Sequence, residues 1–498
     1  MFEQLYTATQ CRELDRIAIE DFGMPGFDLM RRAGRVAFAE LLDSWPEARR
    51  LSICCGKGNN AGDGYIIAGL ARSMGLTVDL LQLGEPGDLQ GDAGRARDWA
   101  VSEGVRPTVV EPQDIQLNGD VIVDGLLGTG LSRPLRGSYA AMVRAINASG
   151  APVLAIDVPS GVNADTGACA DPTVAADVTV TFIGRKRGLH SGPGISAAGR
   201  LVYADLEVGR AVLDRVPGIP LLDIHALLAA RPLPQRDRNA YKQALGHVVV
   251  VGGEHSMGGA VLLAAEATLR VGAGMVSVVT RATHRNAILA RRPELMVVDA
   301  DDTAARHEIF DRASTFIVGP GLGRQQWGFE LLQEVLALAK PTVVDADGLN
   351  ALAHLDLQLQ GPVIVTPHSG EAATLLNKDS ASVQQDRFAA ARALATRVSG
   401  VAVLKGAGTV IASHDADDSA LLGVCAHGNP GMATAGMGDV LAGVVGGLLA
   451  QGCSTADAAV YGVCLHSCAG DLAGKQVGER SLLATDLLPH LMTLLKDT

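Results

Sequence analysis

The sequence predicts an α/β protein in which helices cover both faces of parallel β-sheets. Short runs of β-branched residues alternate with helix-like patterns along most of the chain. Nearly every run is followed at once by Gly, Asp, Pro or Lys, which puts polar groups at the carboxyl ends of strands, where open α/β sheets bind ligands. With 498 residues, the chain is longer than one hydrophobic core usually serves, so we expect two domains.

The strand pattern occurs in both halves of the chain. In the first half it covers Leu51–Cys55, Val78–Leu83, Val121–Val123, Val153–Ile156 and Val178–Phe182. In the second half it covers His247–Val251, Met275–Val279, Phe316–Val318, Thr342–Val344, Val363–Val365 and Val401–Leu404. Each half therefore has enough strands for a parallel sheet of its own.

A proline-rich segment separates the two halves. Residues 210–239 contain Pro217, Pro220, Pro232 and Pro234. Because proline fixes φ and has no backbone N–H, we expect no regular element in this segment. The sequence therefore predicts one domain at residues 1–218 and a second at residues 219–498.

The composition argues against several classes of protein. A net charge of -12 and an aromatic content of 4% disfavour general nucleic-acid binding. The longest uncharged apolar run, Val440 to Ala450, is too short and too glycine-rich to span a bilayer, and no secretion signal is evident. The 8 cysteines form no disulfide framework and indicate thiols in a reducing compartment. We therefore expect a cytoplasmic protein whose partners are small molecules, without nucleic acid or membrane. We also expect a homo-oligomer, although the composition does not indicate the oligomeric state.

A glycine-rich loop follows the first predicted strand. Leu51–Cys55 leads into Gly56-Lys-Gly-Asn-Asn-Ala-Gly-Asp-Gly64, and helical spacing comes next. A strand, a glycine loop and a helix N-terminus present backbone N–H groups to a phosphate. The loop also fits G-x-G-x-x-A, with Asp79 roughly 20 residues further on, as a dinucleotide fold requires. Taken alone, the loop is also compatible with a tight turn between strand and helix.

Polar residues at further strand ends favour a binding site over a plain turn. Asn59, Asn60 and Asp63 stand where a phosphate loop needs only glycine, and Asp124 and Asp157 directly follow later strands. The carboxyl ends of parallel strands share one edge of a sheet, so we expect these groups to form one site. Amide, carboxylate and hydroxyl oxygens also suit a hard monovalent or divalent cation.

About residues 1–215 resemble the NAD(P)H-hydrate epimerase family. The resemblance rests on G-x-G-N-N-x-G-D-G, D-G-L-L-G-T-G-L-S-R-P-L-R-G and I-D-V-P-S-G, with Ala61 where the pattern usually has glycine. It implies a Rossmann-like three-layer fold with Asp157 as the proton-transfer residue. The residues it implies for the hydrated dinucleotide are Asn59, Asn60, Ala61, Gly62, Asp63, Gly128, Thr129, Gly130, Leu131, Ser132, Arg133, Pro134 and Asp157. The residues it implies for potassium are Asn60, Asp124 and Ser160.

A second glycine-rich segment precedes a long apolar helix pattern. It reads Asn429-Pro-Gly-Met-Ala-Thr-Ala-Gly-Met-Gly-Asp439. Gly436 and Gly438 allow a sharp turn that exposes N–H groups at the helix start, an anion cradle suited to a transferring phosphoryl group. Asp439 stands beside this cradle, positioned to take a proton from an attacking hydroxyl; alternatively, it only caps the helix. A helix N-terminus weakens a carboxylate as a base, which phosphoryl transfer tolerates because positioning and charge stabilisation dominate.

About residues 225–498 resemble the ribokinase-like superfamily and, within it, the ADP-dependent NAD(P)H-hydrate dehydratases. The resemblance rests on T-P-H-S-G-E, L-K-G-A-G-T and N-P-G-M-A-T-A-G-M-G-D-V-L-A-G, with Met437 where the family usually has serine. No G-x-x-x-x-G-K-[ST] motif is present, so this is not a P-loop ATPase. For ADP, with magnesium, the resemblance implies Lys405, Gly406, Ala407, Gly408, Thr409 and Gly438. For the hydrated cofactor it implies Ala260, Gly323, His368 and Asp439.

Together the two resemblances imply a metabolite-repair enzyme for hydrated NADH and NADPH. The first domain would interconvert the R and S hydrates. In the second, Asp439 would deprotonate the hydroxyl at C6 of the S hydrate, which takes a phosphoryl group from ADP; phosphate then leaves, giving AMP and NAD(P)H. Two alternatives stay open. The cradle and Asp439 would serve a kinase for a small alcohol equally well, and the first domain could be a non-catalytic dinucleotide sensor or scaffold.

Overall fold

The computed structural model describes residues 3–131, 134–355, 359–415 and 418–496. The chain divides into two compact units, Gln4–Ile219 and the chain from Pro220 onward, which includes Glu3. The boundary expected after residue 218 is next to this division. Among the described residues, no helix combines the length and the apolar character needed to cross a membrane.

The first unit is built on a sheet whose strand pairs are parallel. The strands of the unit are β1 (Gln4–Tyr6), β2 (Arg50–Cys55), β3 (Thr77–Gln82), β4 (Pro107–Val109), β5 (Val121–Gly125), β6 (Val153–Ile156), β7 (Val178–Phe182), β8 (Arg185–Lys186), β9 (Arg200–Ala204) and β10 (Ile219–Pro220). The main sheet has the order β4-β3-β2-β5-β6-β7-β9, and β1 pairs with β8 outside it.

Helices cover both faces of this sheet. They are α1 (Ala8–Arg16), α2 (Gly26–Ser44), α3 (Asn59–Ser73), α4 (Gly91–Ser102), α5 (Gly137–Ala148), α6 (Pro193–Ala198) and α7 (Arg210–Leu213), with a π-helical turn at Ile17–Asp21. Successive strand residues point to opposite faces, so Ile53 and Val123 join the core of α2 and α3, while Cys54 and Ile122 join the core of α5. The unit is thus an α/β/α sandwich.

The second unit is built on a longer mixed sheet. Its strands are β11 (His247–Val251), β12 (Met275–Thr280), β13 (Met296–Asp299), β14 (Thr315–Val318), β15 (Thr342–Val344), β16 (Val363–Val365), β17 (Val401–Leu404), β18 (Thr409–Asp415) and β19 (Asp418–Cys425). The order is β13-β12-β11-β14-β15-β16-β17-β18-β19. Neighbouring strands from β13 to β17 in this order are parallel. Strand β18 pairs antiparallel with both β17 and β19.

The helices of the second unit include the one predicted to carry the anion cradle. They are α8 (Ile224–Ala230), α9 (Gly258–Arg270), α10 (Arg285–Arg291), α11 (Thr303–Arg312), α12 (Gln326–Ala337), α13 (Asp347–His354), α14 (Ser369–Leu376), α15 (Ser380–Gln385), α16 (Arg387–Val398), α17 (Met437–Ala450), α18 (Thr455–Val477) and α19 (Leu487–Leu494). Helix α17 packs closely on α9 because glycine stands at the contact: a Cβ on Gly443 would lie 2.2 Å from the carbonyl oxygen of Ala264.

Each run with the predicted strand pattern overlaps an observed strand, and the α/β class is confirmed. The expectation that residues 210–239 hold no regular element is wrong. Short elements α7, β10 and α8 form there, and Asp223 caps α8 by accepting a hydrogen bond from the Ala226 N–H at 2.8 Å. The prolines flank these elements instead of interrupting them, with Pro220 at a strand end, a position that proline tolerates.

Candidate active sites

The first candidate site is a cavity of about 620 Å³ at the carboxyl ends of the first sheet. The loop after β2 and the start of α3 form one side, and the loops after β5 and β6 form the other. The cavity is lined by these predicted site residues: Asn59, Asn60, Asp63, Gly128, Thr129, Gly130 and Asp157. Of the other described residues in the predicted set, Ala61, Gly62, Leu131 and Pro134 are not part of the lining. Ser132 and Arg133 lie outside the described residues.

Asp157 is held rigidly in this cavity by an ion pair. Its backbone has a φ of 66°, a left-handed conformation that costs free energy for a residue other than glycine. Its carboxylate accepts hydrogen bonds from the ammonium group of Lys186 and from the Thr181 hydroxyl at 3.3 Å. Lys186 is almost fully buried; burial alone lowers its pKa, but the carboxylate of Asp157 outweighs this and the pKa is raised. The pair therefore lies in the floor of the site, with the ammonium form of Lys186 favoured by its partner.

Asp63 lines the same cavity, but its carboxyl group differs from that of Asp157 in its partners. Hydrogen bonds and ion pairs to its carboxyl group are absent among the described residues. Burial raises its pKa well above the ordinary value, and the nearby carboxylates of Asp157 and Asp15 raise it further, against the opposing charge of Lys186. Its neutral form is therefore favoured more than that of an ordinary carboxyl group, while Asp157 is ion-paired with Lys186.

The residues expected to bind potassium surround the loop after β5. Asp124 is fully buried and accepts hydrogen bonds from the Ser160 hydroxyl at 2.7 Å and the Ser160 N–H at 2.8 Å. Burial raises its pKa to about 6. On the other side of the loop, the Asn60 Oδ1 would lie 3.4 Å from a Cβ on Gly128, and the buried Asn60 Nδ2 has no partner among the described atoms.

Sequence reasoning missed several residues of this cavity. Lys186 ends β8 shortly after β7, so the rule that polar residues follow strands could have suggested it. Cys11, Asp15 and Tyr139 also line the cavity. They lie on α1 and α5, far along the chain from the glycine loop, and no local pattern signals their contribution.

The second candidate site lies at the carboxyl ends of β15, β16 and β17. The ammonium group of Lys405, after β17, contacts the carboxylate of Asp345 at 2.7 Å and that of Glu371 at 3.8 Å. Asp345 also accepts a hydrogen bond from the Thr366 hydroxyl at 2.7 Å. A Cβ on Gly438 would lie 3.3 Å from the Lys405 Nζ and 3.4 Å from the Asp345 Oδ2. The N-terminus of α17 therefore meets this charged cluster.

Asp439 stands in the first turn of α17 beside the same cluster. Burial raises its pKa to about 7, with the charge of Asp345 also raising it and that of Lys405 lowering it. The sequence-based expectation that the helix N-terminus makes Asp439 a weak base is therefore offset by burial and by neighbouring carboxylates. A carboxyl group of this pKa can accept a proton near neutral pH.

Gly323 lies in the loop after β14, Ala260 in the first turn of α9, and His368 in the loop after β16. The N–H of Gly323 donates to the Asp347 carboxylate at 3.0 Å, and Ala260 lies beside Gly321 of the Gly323 loop. His368 is the N-cap of α14: its Nδ1 accepts from the Gly370 and Glu371 N–H groups. Burial and the charge of Lys405 lower its pKa, so the ring is neutral.

A buried arginine, Arg387, donates hydrogen bonds to the backbone of the turn expected to bind ADP. Gly406 and Gly408 have φ values of 144° and 66°, and the turn connects β17 to β18. The guanidinium of Arg387 donates to the carbonyl oxygens of Leu404 at 3.1 Å, and of Lys405 and Gly408 at 3.3 Å. Arg387 holds the turn shape without occupying its outer face.

Sequence reasoning also missed Asp345, Asp347, Glu371 and Arg387 at this site. A signal existed for Asp345 and Asp347, which follow β15 in Val-Val-Asp-Ala-Asp-Gly, the same arrangement that drew attention to Asp124. Glu371 stands within the T-P-H-S-G-E string. Arg387 starts α16 and had no signal, because only the fold brings it beneath the turn.

The fold and the two sites define a two-domain α/β enzyme with separate acid–base centres, the second beside a helix N-terminus suited to phosphoryl groups. Family models match both parts: residues 248–492 match NAD(P)H-hydrate dehydratase and residues 26–188 match the YjeF-related protein N-terminus. The chain belongs to the family of bifunctional NAD(P)H-hydrate repair enzymes.

Relatives of that name match along almost the whole chain. The repair enzyme of Coxiella burnetii is 45% identical, covering 98% of this chain and 99% of the relative; that of Escherichia coli is 39% identical, covering 98% and 93%. Among solved structures, the Bacillus subtilis ADP/ATP-dependent NAD(P)H-hydrate dehydratase, co-crystallised with ATP/Mg²⁺, is 27% identical. It covers 56% of this chain and 98% of its own, with a TM-score of 0.50. The ribokinase-like fold of the second unit follows.

Proposed function

We propose that this protein repairs hydrated NADH and NADPH, with one reaction assigned to each unit. The first unit interconverts the R and S hydrates, and the second dehydrates the S hydrate while ADP is converted to AMP and phosphate. One observation carries the proposal: a single chain holds two separate carboxylate centres, Asp157 beside Lys186 and Asp439 beside Lys405. The alignment with a relative that is named a bifunctional NAD(P)H-hydrate repair enzyme covers 98% of this chain.

In the second unit, Asp439 takes the proton from the C6 hydroxyl of the S hydrate as that oxygen attacks the terminal phosphoryl group of ADP. Its pKa of about 7 suits a base that works near neutral pH. The N–H groups at the start of α17 face the transferring phosphoryl group and stabilise its charge. Phosphate is a better leaving group than hydroxide, so its departure restores the reduced nicotinamide ring.

The nucleotide is bound by the turn from Lys405 to Thr409 and by Gly438. The left-handed glycines Gly406 and Gly408 leave the outer backbone of this turn open to a ligand, and Arg387 keeps its shape. Magnesium enters with the nucleotide, whose phosphates would supply most of its oxygen ligands. Asp345 and Glu371, whose carboxylates contact Lys405 at the start of this turn, offer the oxygen ligands that a hard cation prefers. Ala260, Gly323 and His368 contact the hydrate.

In the first unit, Asp157 moves the proton at the C6 hydroxyl. The cavity residues hold the dinucleotide hydrate, and the remaining members of the predicted set, Ala61, Gly62, Leu131, Ser132, Arg133 and Pro134, are proposed to bind it as well. The oxygens of Asn60, Asp124 and Ser160 fit potassium: Asp124 is buried and forms no ion pair with any described cationic side chain. Potassium supplies a positive charge that would orient the substrate oxygens.

The test uses the full-length protein with chromatographically separated R and S hydrates of NADH. With ADP, the S hydrate should yield reduced NADH and AMP; without ADP, either epimer should equilibrate to a mixture of both. An R hydrate that persists unchanged after correction for spontaneous epimerisation would overturn the assignment of the first unit. If an added small alcohol gives a stable phosphorylated product and the S hydrate gives no NADH, the second unit is a kinase instead.

The proposal includes a cytoplasmic homo-oligomer. The substrates are metabolites that arise wherever NADH and NADPH are used, which favours the cytoplasm. Light scattering on the purified protein measures the oligomeric state directly, and a monomeric mass would contradict this part.

A further inference from the structure

The carboxyl group of Asp63 lines the first cavity, yet among the described residues no donor bonds to it and no cation pairs with it. Asp15 shares this property, whereas Asp92 is paired with Arg95. Asp157, in the same cavity, is bound by Lys186 and by the Thr181 hydroxyl. Asp63 is partly exposed and lines the cavity, so its unpaired carboxyl group is accessible to a substrate that can hydrogen-bond to it.

We infer that Asp63 is the proton donor of the epimerase reaction and that it works against Asp157 as the base. This rests on the proposed function of the first unit. Four carboxyl groups line the cavity, those of Asp15, Asp63, Asp92 and Asp157. Asp157 is paired with a cation, whereas Asp63 is unpaired, and the charge that acts most strongly on it is that of Asp157. Such a difference between two neighbouring carboxyl groups separates an acid from a base. A residue that only held the substrate would need no such difference from Asp157.

The chemistry of the hydrate requires two such groups. The hydrate is a carbinolamine, in which C6 carries both the hydroxyl and the ring nitrogen N1. Asp157 removes the hydroxyl proton, C6 and the oxygen form a carbonyl, the C6–N1 bond breaks, and Asp63 delivers its proton to N1. Rotation about the C5–C6 bond presents the other face of the carbonyl. N1 then attacks that face while Asp63 recovers its proton and Asp157 returns the other, so atoms and charges balance and no co-reactant is consumed.

The charges around Asp63 favour its protonated form between turnovers. Those of Asp157 and Asp15 raise its pKa and that of Lys186, which is engaged by Asp157, opposes them. Cys55 lies close enough for the charge of Asp63 to act on it. The other titratable groups that line the cavity are Cys11, Arg12, Lys57, Asp92 and Tyr139. The ring-closing step returns the proton to Asp63, so the donor is regenerated without proton exchange with solvent.

The test compares full-length Asp63→Asn with Asp98→Asn, which removes an exposed carboxylate from α4 in the same unit. Asparagine matches the neutral acid in size and charge but has no acidic proton, so it keeps the binding contact and removes only the donor. We expect the epimerisation kcat of Asp63→Asn to fall by about 10²–10⁴-fold with KM nearly unchanged. Dehydration of the S hydrate by the second unit reports that the chain is folded, and Asp63→Glu should recover part of the epimerisation kcat.

The pH profile gives a readout that a structural role would not change. In the wild type, kcat for epimerisation should fall at high pH, because the donor loses its proton, and the residual activity of Asp63→Asn should lack this alkaline limb. An Asp63→Asn protein with wild-type kcat, or with a raised KM alone, would show that Asp63 only binds substrate and would overturn the inference. A wild-type protein that fails to epimerise would instead overturn the proposed function, so the two failures are distinguishable.

Discussion

Asp157 and Asp439 both stand near the carboxyl ends of parallel strands, one in each unit, but the protein surrounds them differently. Asp157 is fixed by Lys186 in a left-handed backbone conformation, and a second, unpaired carboxyl group, Asp63, faces the same cavity. Asp439 lies at a helix start, where burial and Asp345 raise its pKa to about 7 while Lys405 is held by Asp345. In the first unit the lysine pairs with the proposed base, Asp157, whereas in the second it pairs with Asp345 next to the proposed base. Similar sheet edges can therefore serve two different reactions.

The difference follows from what each proposed reaction needs. Epimerisation returns every proton it moves, so an acid and a base are required together. Dehydration ends with the loss of phosphate, so one base and an anion-stabilising helix N-terminus are sufficient. The lysine beside each base has a correspondingly different partner: the base itself in the first unit, and a neighbouring carboxylate in the second.

The largest effect should come from Asp439→Asn. Loss of the base should lower kcat for dehydration by about 10²–10⁴-fold, while epimerisation in the same preparation stays at the wild-type rate. The measurement is formation of NADH from the S hydrate with ADP, with Asp311→Asn, an exposed change in α11, as the matched control. Near-normal dehydration by Asp439→Asn would remove Asp439 from the mechanism.

The ion pair of the first unit should have a large effect on stability as well as activity. Asp157→Asn leaves the buried ammonium of Lys186 without its partner, and breaking a buried pair in this way typically costs about 3–5 kcal/mol. The double variant Asp157→Asn with Lys186→Met should recover much of this loss in denaturant unfolding while epimerisation stays absent. If the double variant is no more stable than Asp157→Asn, the two side chains are not energetically coupled.

The pH dependence of kcat should distinguish the base of dehydration, Asp439, from the base of epimerisation, Asp157. Dehydration requires ionised Asp439, so its kcat should rise with pH by about tenfold per unit below the pKa, which is about 7, and level off above it. Asp345→Asn removes a negative charge and frees Lys405, and both changes lower the pKa of Asp439, so the acidic limb should shift to lower pH. The epimerisation profile of the same variant serves as the control. An unshifted acidic limb would mean that Asp439 is not the titrating base.

The smallest effect should come from cutting the chain near residue 220, because the two units have separate cores. The C-terminal piece should repair the S hydrate with ADP at close to the full-length rate and stall on the R hydrate. Adding the N-terminal piece should restore R consumption, whereas its Asp157→Asn form should not. Equal consumption of both epimers by the C-terminal piece, followed by chiral chromatography, would contradict the division of labour.

The strands and the glycine loops could be predicted because they depend on local patterns. Buried parallel strands need short β-branched runs, and a helix start that faces an anion needs glycines such as Gly436 and Gly438. The sequence missed the short strands β1, β4, β8 and β10, which carry too few residues for a recognisable pattern. It missed β9 and β13 as well, which are edge strands whose residues are half-buried or exposed. It also missed β18 and β19, whose antiparallel pairing depends on contacts that local residues do not encode.

The sequence by itself determined the α/β class, the two-part organisation and the sheet edges at which Asp63, Asp157 and Asp439 stand. Only the tertiary structure decided which of these carboxyl groups is paired with a lysine and which are left unpaired with a raised pKa. The physical reason is that protonation depends on burial and on charges a few ångströms away. Lys186, Asp345 and Lys405 acquire those positions through folding, since each is far along the chain from the carboxyl group that it controls.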